Sequence, residues 1–419
     1  MTQLNQPTGG NPPLEMNATE HPKRRAIPQP VVIGAYAFPH GDATSNRLLQ
    51  LARSAAPDGV RSIVVNDLLE ENAKSVNEFD VKGIQLITLR IKGSNRFNRM
   101  VARVARPARV LVALHRRGVH RGDVSVVLLP MAMMTLATWI VLRLALGCPV
   151  VVDATERHDR HQFPRGWLTP YFVRHRWSLF LATQLADRAT AVSTRLAEYL
   201  QDRGLEVLVV PPQVDCAEHS EARPSAISRG LRLLYAGTPG RKDMLDVIVR
   251  GISQMSPNDQ ARIHLTIAGV AREDADAKSD LDVSVMEKVS ASVEFLGRVP
   301  RSTVMELLAG SHFSMLVRPT DGYASFGFPS KVPESLASGC PVMLNLTSDL
   351  ADYVQDGIEA VLLEGSTPDD VRRGIERALT LADDQWAVMS EAAKKRALAS
   401  FDYHAWRHRV IPFVTRSLS

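Results

Sequence analysis

Phe326-Gly-Phe-Pro-Ser-Lys-Val-Pro-Glu-Ser-Leu-Ala-Ser-Gly-Cys-Pro-Val342 is the stretch on which the reading of this chain turns. It opens on a Gly/Pro/Ser turn holding one lysine, Lys331, and passes through Glu334 into a short helix of small and apolar residues. It closes on a Ser-Gly-Cys-Pro turn that feeds the apolar run Val342-Met-Leu. Such a loop brings backbone N–H groups and a positive charge to a helix start, where anions bind well. A carboxylate one turn further on, Glu334, accepts hydrogen bonds from hydroxyl groups. Donors plus lysine for a diphosphate, and a carboxylate for a sugar diol, describe a nucleotide-sugar pocket.

Outward from this stretch, apolar runs alternate with helical ones in both directions. Around it, strands are expected at 231–235, 263–268, 292–296, 314–317, 342–344 and 360–363, with helices at 244–253, 302–309, 331–337 and 368–381. Towards the N-terminus, strands are expected at 31–36, 62–65, 84–89, 124–129, 150–152, 189–192 and 206–210. Helices fill the gaps at 45–55, 97–117, 131–146, 170–185 and 194–201. Continuous apolar strands bounded by turns belong to parallel sheets covered on both faces. Pro211-Pro212 and the polar stretch 217–229 mark a boundary. The fold class is therefore α/β, with two doubly wound Rossmann-like domains, 29–213 and 214–400, facing a central cleft. Ligands of such sheets bind outside the carboxyl ends of the strands.

The totals narrow the function classes. The 419 residues, 45% hydrophobic and 23% charged, have the make-up of a globular protein of two or three domains. Aromatics make up only 6% and do not interleave with the basic residues, so no nucleic-acid partner is expected. Residues 1–219 hold 27 Lys and Arg against 19 Asp and Glu, and the rest hold 23 against 26. A basic first half suits contact with an anionic membrane or acceptor. Cys148, Cys216 and Cys340 are far apart, which points to a reducing cytoplasm and neither a disulfide framework nor a metal site. Residues 1–28, rich in Gln, Asn, Pro and Gly, read as a disordered tail without a signal peptide. The uncharged run 124–142 is long enough for a membrane span, but Pro130 divides it into a buried strand and a helix.

Four further segments carry chemistry. After the first strand, Phe38-Pro-His-Gly-Asp-Ala-Thr-Ser-Asn-Arg47 makes a turn into a helix that Thr44 or Ser45 would cap. Asp42, Asn46 and Arg47 there would face the cleft and meet an acceptor. Asp153-Ala-Thr-Glu-Arg-His-Asp159 crowds polar groups at a strand's carboxyl end, and Glu156 and His158 are its catalytic candidates. His158, His161 and Asp159 have no fourth ligand at helical spacing, so no metal is expected. Leu233-Leu-Tyr-Ala-Gly237 leads into Arg241 and Lys242, two cations suited to a diphosphate. Arg99, Arg103, Arg106 and Arg109 share one helical face, which would lie on anionic lipid or simply in water. A dinucleotide-binding dehydrogenase lacks support, since no Gly-x-Gly-x-x-Gly follows the first strand. The absence of a Gly-x-Ser-x-Gly elbow weakens a hydrolase reading.

From about residue 30 the chain resembles the GT-B-fold glycosyltransferases of family four, also called group one. The resemblance rests on Ala236-Gly237…Lys242-Asp243, on Phe295-Leu-Gly-Arg298 and on Pro329-Ser-Lys-Val-Pro-Glu334-Ser-Leu-Ala-Ser-Gly-Cys-Pro-Val342. Phe38-Pro39…Asn46-Arg47 resembles a subgroup acting in polysaccharide and glycolipid assembly. Phe401-Asp-Tyr…Trp406 is similar to a final helix, within 401–419, that crosses back to the first domain. The resemblance implies retaining transfer of a sugar from a nucleoside-diphosphate donor to a saccharide or lipid-linked acceptor, with no cofactor or metal. It implies that Glu334 binds the ribose hydroxyls, and that Lys242, with Arg241, holds the diphosphate. Gly41 would let the backbone approach the phosphates. Many members carry a glutamate eight residues before the one matching Glu334, where this chain has Phe326; Ser330 and Lys331 would then take over donor contacts. Many also place a histidine after the strand that here ends at Val152, where this chain offers Thr155 and Glu156, with His158 slightly later. A non-catalytic nucleotide-sugar binder and a nucleotide-sugar epimerase are the alternatives.

Overall fold

The computed structural model describes residues 27–34, 43–69, 80–81, 83–91, 101, 104–158, 168–219, 224–239, 243–279, 281–320 and 322–416. The first domain is built on β1 Gln29–Gly34, β2 Ser62–Leu69, β3 Asp80–Val81, β4 Ile84–Ile91, β5 Val124–Pro130, β6 Val150–Ala154, β7 Arg188–Ala191 and β8 Val207–Val209. They form one sheet in the order β3-β4-β2-β1-β5-β6-β7-β8. Only the β3–β4 pairing is antiparallel among the described strands. The second domain is built on β9 Leu231–Ala236, β10 Ile263–Ala268, β11 Val293–Gly297, β12 Phe313–Leu316, β13 Val342–Asn345 and β14 Ala360–Leu363. Its sheet is parallel throughout, in the order β11-β10-β9-β12-β13-β14.

The strands are apolar because both faces are covered. Val31, Val32 and Ile33 alternate between two cores, and all three are buried. On one face of the first sheet, Val110 and Leu114, Leu142 and Leu146, and Leu179 and Ala182 bring three helices into one core. That core runs on into the second domain through Phe328, Val332 and Leu336. On the other face, Leu48 and Leu51 of the helix Ala43–Ala55 meet Trp406, Val410 and Val414 of the helix Tyr403–Thr415. The chain therefore crosses between domains twice, and the crossings lie side by side: Val214 N–H donates to Phe401 O at 2.9 Å and Tyr403 N–H to Val214 O at 3.0 Å.

Strand order reverses between β1 and β5 and again between β9 and β12, which opens a crevice at the carboxyl edge of each sheet. Local signals set the helix ends. The helix expected over 131–146 is a 3₁₀ turn, Met131–Met133, followed by Leu136–Leu146. The break comes at Thr135, whose Oγ1 accepts from the Thr138 N–H at 3.0 Å as an N-cap. The basic helix expected over 97–117 contains the regular helix Arg106–His115, which starts where Pro107 stands in its first turn; Arg99 and Arg103 lie outside the described residues. Among the described residues no helix is long and apolar enough to cross a membrane. Cys148, Cys216 and Cys340 are all free thiols.

Candidate functional site in the interdomain cleft

The crevice at β9 and β12 holds a compact charge cluster. Asp243 follows β9, and its carboxylate accepts from Arg318 Nε at 2.8 Å and from the Lys331 ammonium. Burial works against the ionised form of Asp243, but Lys331 and Arg318 prevail and hold its carboxyl below the usual range. Burial likewise draws the Lys331 ammonium below its ordinary pKa, against the pull of Asp243. Two cations on one carboxylate leave a net positive charge at the crevice. The Arg318 backbone is fixed by Asn345, whose side chain accepts from the Arg318 N–H at 2.9 Å and donates to its carbonyl at 2.8 Å. Lys331 extends over the Tyr235 ring, 4.6 Å from its centroid. It has room because residue 237 is glycine: with φ at +143°, a Cβ there would stand 2.6 Å from Lys331 Cε and Nζ.

Glu334 sits one turn beyond Lys331. Its Oε1 accepts from Arg301 at 2.6 Å and from Asn46 Nδ2, in the first domain, at 3.3 Å. Across the cleft, Arg47 clamps Asp153 through two contacts, Nε to Oδ2 at 3.0 Å and a second nitrogen to Oδ1 at 2.7 Å. Arg47 also donates to the carbonyls of Val210 and Pro211, both at 2.9 Å, and Thr190 Oγ1 donates to Asp153 at 2.7 Å. This buried network ties the helix Ala43–Ala55 to the ends of β6 and β7 and shapes the cleft floor.

Beyond β6, His158 Nε2 lies 3.4 Å from Glu156 and 3.2 Å from the Tyr171 hydroxyl. Its ring stands edge-on to His175, with centroids 4.6 Å apart. Burial, aided by His158, lowers the His175 pKa to about 4. A cavity of about 440 Å³ joins these groups to the charge cluster, lined by Arg47, Glu156 and His158 on one side and by Arg318, Phe328 and Ser330 on the other. Next to it the domains meet at Phe326, whose ring is approached by the guanidinium groups of Arg157 and Arg195, each 4.6 Å from its centroid. The Phe326 carbonyl accepts from Ser193 Oγ at 2.9 Å, and Asp349 accepts from the Thr194 N–H at 2.7 Å.

A cationic crevice at a strand-order reversal, facing a second doubly wound sheet across a cavity, has the charge and position that suit a phosphorylated ligand. The sequence profile described as "Glycosyl transferases group 1" matches residues 230–381, the part of the chain that builds this crevice. The second domain is a group 1 glycosyl transferase domain. The D-inositol 3-phosphate glycosyltransferase of Nocardiopsis dassonvillei is 28% identical over 226 residues, covering 51% of this chain and 52% of that protein. The chain thus spans about half the length of this curated relative. HepE of Anabaena, solved in complex with UDP and glucose, superimposes with a TM-score of 0.68 at 13% identity, covering 93% of this chain and 100% of HepE. Sucrose-phosphate synthase of Thermosynechococcus elongatus gives 0.65 at 14% identity, over 91% of this chain and 97% of that one. Both domains together therefore have the GT-B fold.

Within the group 1 domain the structure brings together Ser330, Lys331 and Glu334 at one edge of the cleft, and Asn46 reaches them from the first domain. Arg47 is engaged in the Asp153 clamp. Glu156 and His158 line the opposite wall. Gly41, Asp42, Arg241 and Lys242 lie outside the described residues. Sequence reasoning missed Arg301, Arg318, Tyr171 and His175. Tyr171 and His175 stand four apart on the helix Pro170–Leu185, so helical spacing places both on one face. Arg301 and Arg318 carried no local signal, since only the sheet order brings them to Glu334 and Asp243. No group of three or more metal-ligating side chains occurs among the described residues.

Proposed function

We propose that the chain transfers a sugar from a nucleoside-diphosphate sugar to a hydroxyl of a saccharide or lipid-linked saccharide. The transfer retains anomeric configuration and serves cell-surface polysaccharide or glycolipid synthesis. The observation that carries this reading is the Arg318–Asp243–Lys331 cluster in the switch-point crevice of a group 1 domain. The bond between the anomeric carbon and the diphosphate oxygen breaks as the acceptor oxygen bonds to the same face of the sugar. The acceptor proton passes to the departing phosphate, so no strong protein base is needed. Arg318 and Lys331 stabilise the charge that develops on the diphosphate, and no cofactor or metal is called for. Glu334 accepts from the ribose hydroxyls in place of Asn46. Glu156 and His158 stand where an acceptor hydroxyl enters, and closure of the domains excludes water.

The test is thermal melting with UDP, GDP, ADP and TDP, followed by turnover with the matching nucleotide sugar. One nucleotide at ~100 times its dissociation constant adds about 2.7 kcal/mol of stability. Lys331→Ala removes that gain, and Glu334→Ala weakens it. No gain with any of the four overturns the donor site. The closed state of Glu334, held by Arg301 and Asn46, favours a second reading as a non-catalytic nucleotide-sugar binder; a nucleotide gain without release of diphosphate from any sugar donor selects it.

A further inference from the structure

The outer side of the first domain presents an apolar, basic surface that the transfer site does not use. Of the seventeen large apolar side chains exposed among the described residues, eleven fall between residues 101 and 180. Six of these eleven form stripes at helical spacing. Leu136, Ile140 and Leu144 run along the helix Leu136–Leu146, and Val173, Trp177 and Phe180 along Pro170–Leu185. Val112 adds to them from Arg106–His115. Each of these helices buries its opposite stripe in the same core, on the same face of the sheet, so the exposed stripes share one outer face. Leu144 is 70% exposed, Trp177 61% and Phe180 54%, and Trp177 packs edge-on against Phe180 with centroids 6.0 Å apart. Bulk water is a poor partner for so large an apolar patch, and such patches mark contact sites.

The charge around the patch selects the partner. The helices Arg106–His115, Leu136–Leu146 and Pro170–Leu185 contain Arg106, Arg109, Arg143, Arg174 and Arg176, and their sequences contain no Asp or Glu. Arg116 and Arg121 follow close by. Aromatic and aliphatic side chains interspersed with arginines, one of which, Arg143, is paired with Asp187 at 3.1 Å, match a bilayer whose headgroups are anionic. The patch also adjoins the cleft. Tyr171 and His175 line the cavity from the same helix that carries Val173, Trp177 and Phe180 outward, and Met131 to Met133 line it just before Leu136. We propose that this face docks on an anionic lipid surface, with Trp177, Phe180 and Leu144 entering the interface and the arginines meeting the headgroups. Docking there opens the acceptor side of the cleft beside the membrane, which deepens the transfer reading by making the acceptor a lipid-borne one.

The test is flotation of the full chain with vesicles of phosphatidylcholine, with and without phosphatidylglycerol, beside Trp177→Ser/Phe180→Ser and Arg174→Gln/Arg116→Gln variants. All four positions are on the surface, and melting curves check that each variant folds. The wild type floats with the anionic vesicles and not with the neutral ones. The aromatic pair of changes lowers the partition coefficient more than tenfold, and each arginine lost lowers it about fivefold. Equal flotation of all three proteins, or none with anionic vesicles, overturns the proposal. So does a dimer by light scattering that Trp177→Ser/Phe180→Ser dissolves, because a second copy then covers the face. Nucleotide melting shifts are read without vesicles, so failure of the donor site and failure of the lipid face are told apart.

Discussion

The guanidinium carbon of Arg157, in the first domain, stands 4.6 Å from the centre of the Phe326 ring, in the second. Arg157 Nε is buried without a hydrogen-bond partner, and the guanidinium faces two rings, Phe326 and, at 4.4 Å, Tyr199. Such a contact contributes about 0.5–1 kcal/mol when exposed and about 2 when desolvated. A double-mutant cycle with Phe326→Leu and Arg157→Ala should therefore give a coupling of about 0.5–2 kcal/mol in urea denaturation. Phe326→Tyr should keep most of it. A cycle that closes at zero would make the contact passive.

Asp243→Asn should destabilise the second domain strongly. It leaves Arg318 and Lys331 together without the carboxylate that both grip, and removing one member of a buried ion pair costs about 3–5 kcal/mol. The expected sign is a lower urea midpoint at unchanged slope. Because the folded-state pKa of Asp243 is lowered, its contribution is complete above the unfolded value of about 4 and fades as pH falls through the folded one. The wild type should lose stability below about pH 4, and the variant should lose less over that window.

Two histidines should govern milder acid. Burial lowers His175 to about 4, with His158 adding to it, and burial lowers His219 to about 4, with Arg301 adding to it. An unfolded histidine takes up a proton near pH 6.5, so both groups favour unfolding as pH falls from about 6.5 towards 4. The melting temperature should drop across that range, and His175→Gln with His219→Gln should flatten the slope. An unchanged slope in the double variant would mean that neither histidine is held neutral by the fold.

Arg47→Lys should be costly although it keeps the charge. A lysine cannot span both Asp153 oxygens and the carbonyls of Val210 and Pro211, which Arg47 reaches together from a position only 6% exposed. Each buried group left without a partner costs about 1–3 kcal/mol. A fall of at least 2 kcal/mol in urea is expected, roughly one such group's share. Stability equal to the wild type would show that water fills the gap.

The strands and the donor turn were legible because continuous apolar runs and a Pro-Ser-Lys turn are local signals. Helix ends were less so: Thr135 and Pro107 act through one hydrogen bond or one ring, and apolar periodicity runs past both. The strand β3, two residues long, has no periodicity to read. The helix Asp383–Ser400 has a scattered apolar pattern, since Met389, Ala393 and Ala397 face inward while Val388 and Leu398 face water. In the site, Lys331 and Glu334 were visible as a pair within one turn. Their partners Arg301 and Asp243 are 33 and 88 residues away and meet them only through the order of strands.

The helix Tyr403–Thr415 closes the face of the first domain that holds Val32, Leu51 and Leu128, yet it follows the whole second domain in the sequence. During synthesis, the strands of that domain leave the ribosome long before their cover does. At about 5–20 residues per second, the stretch from residue 214 to 402 takes about 10–40 s to make. For that interval the nascent first domain carries an open apolar face, while everything the second sheet needs emerges earlier. The second domain is thus the first able to complete its core, and the first domain matures by capture of this helix, which makes this window the time when the chain most needs a chaperone.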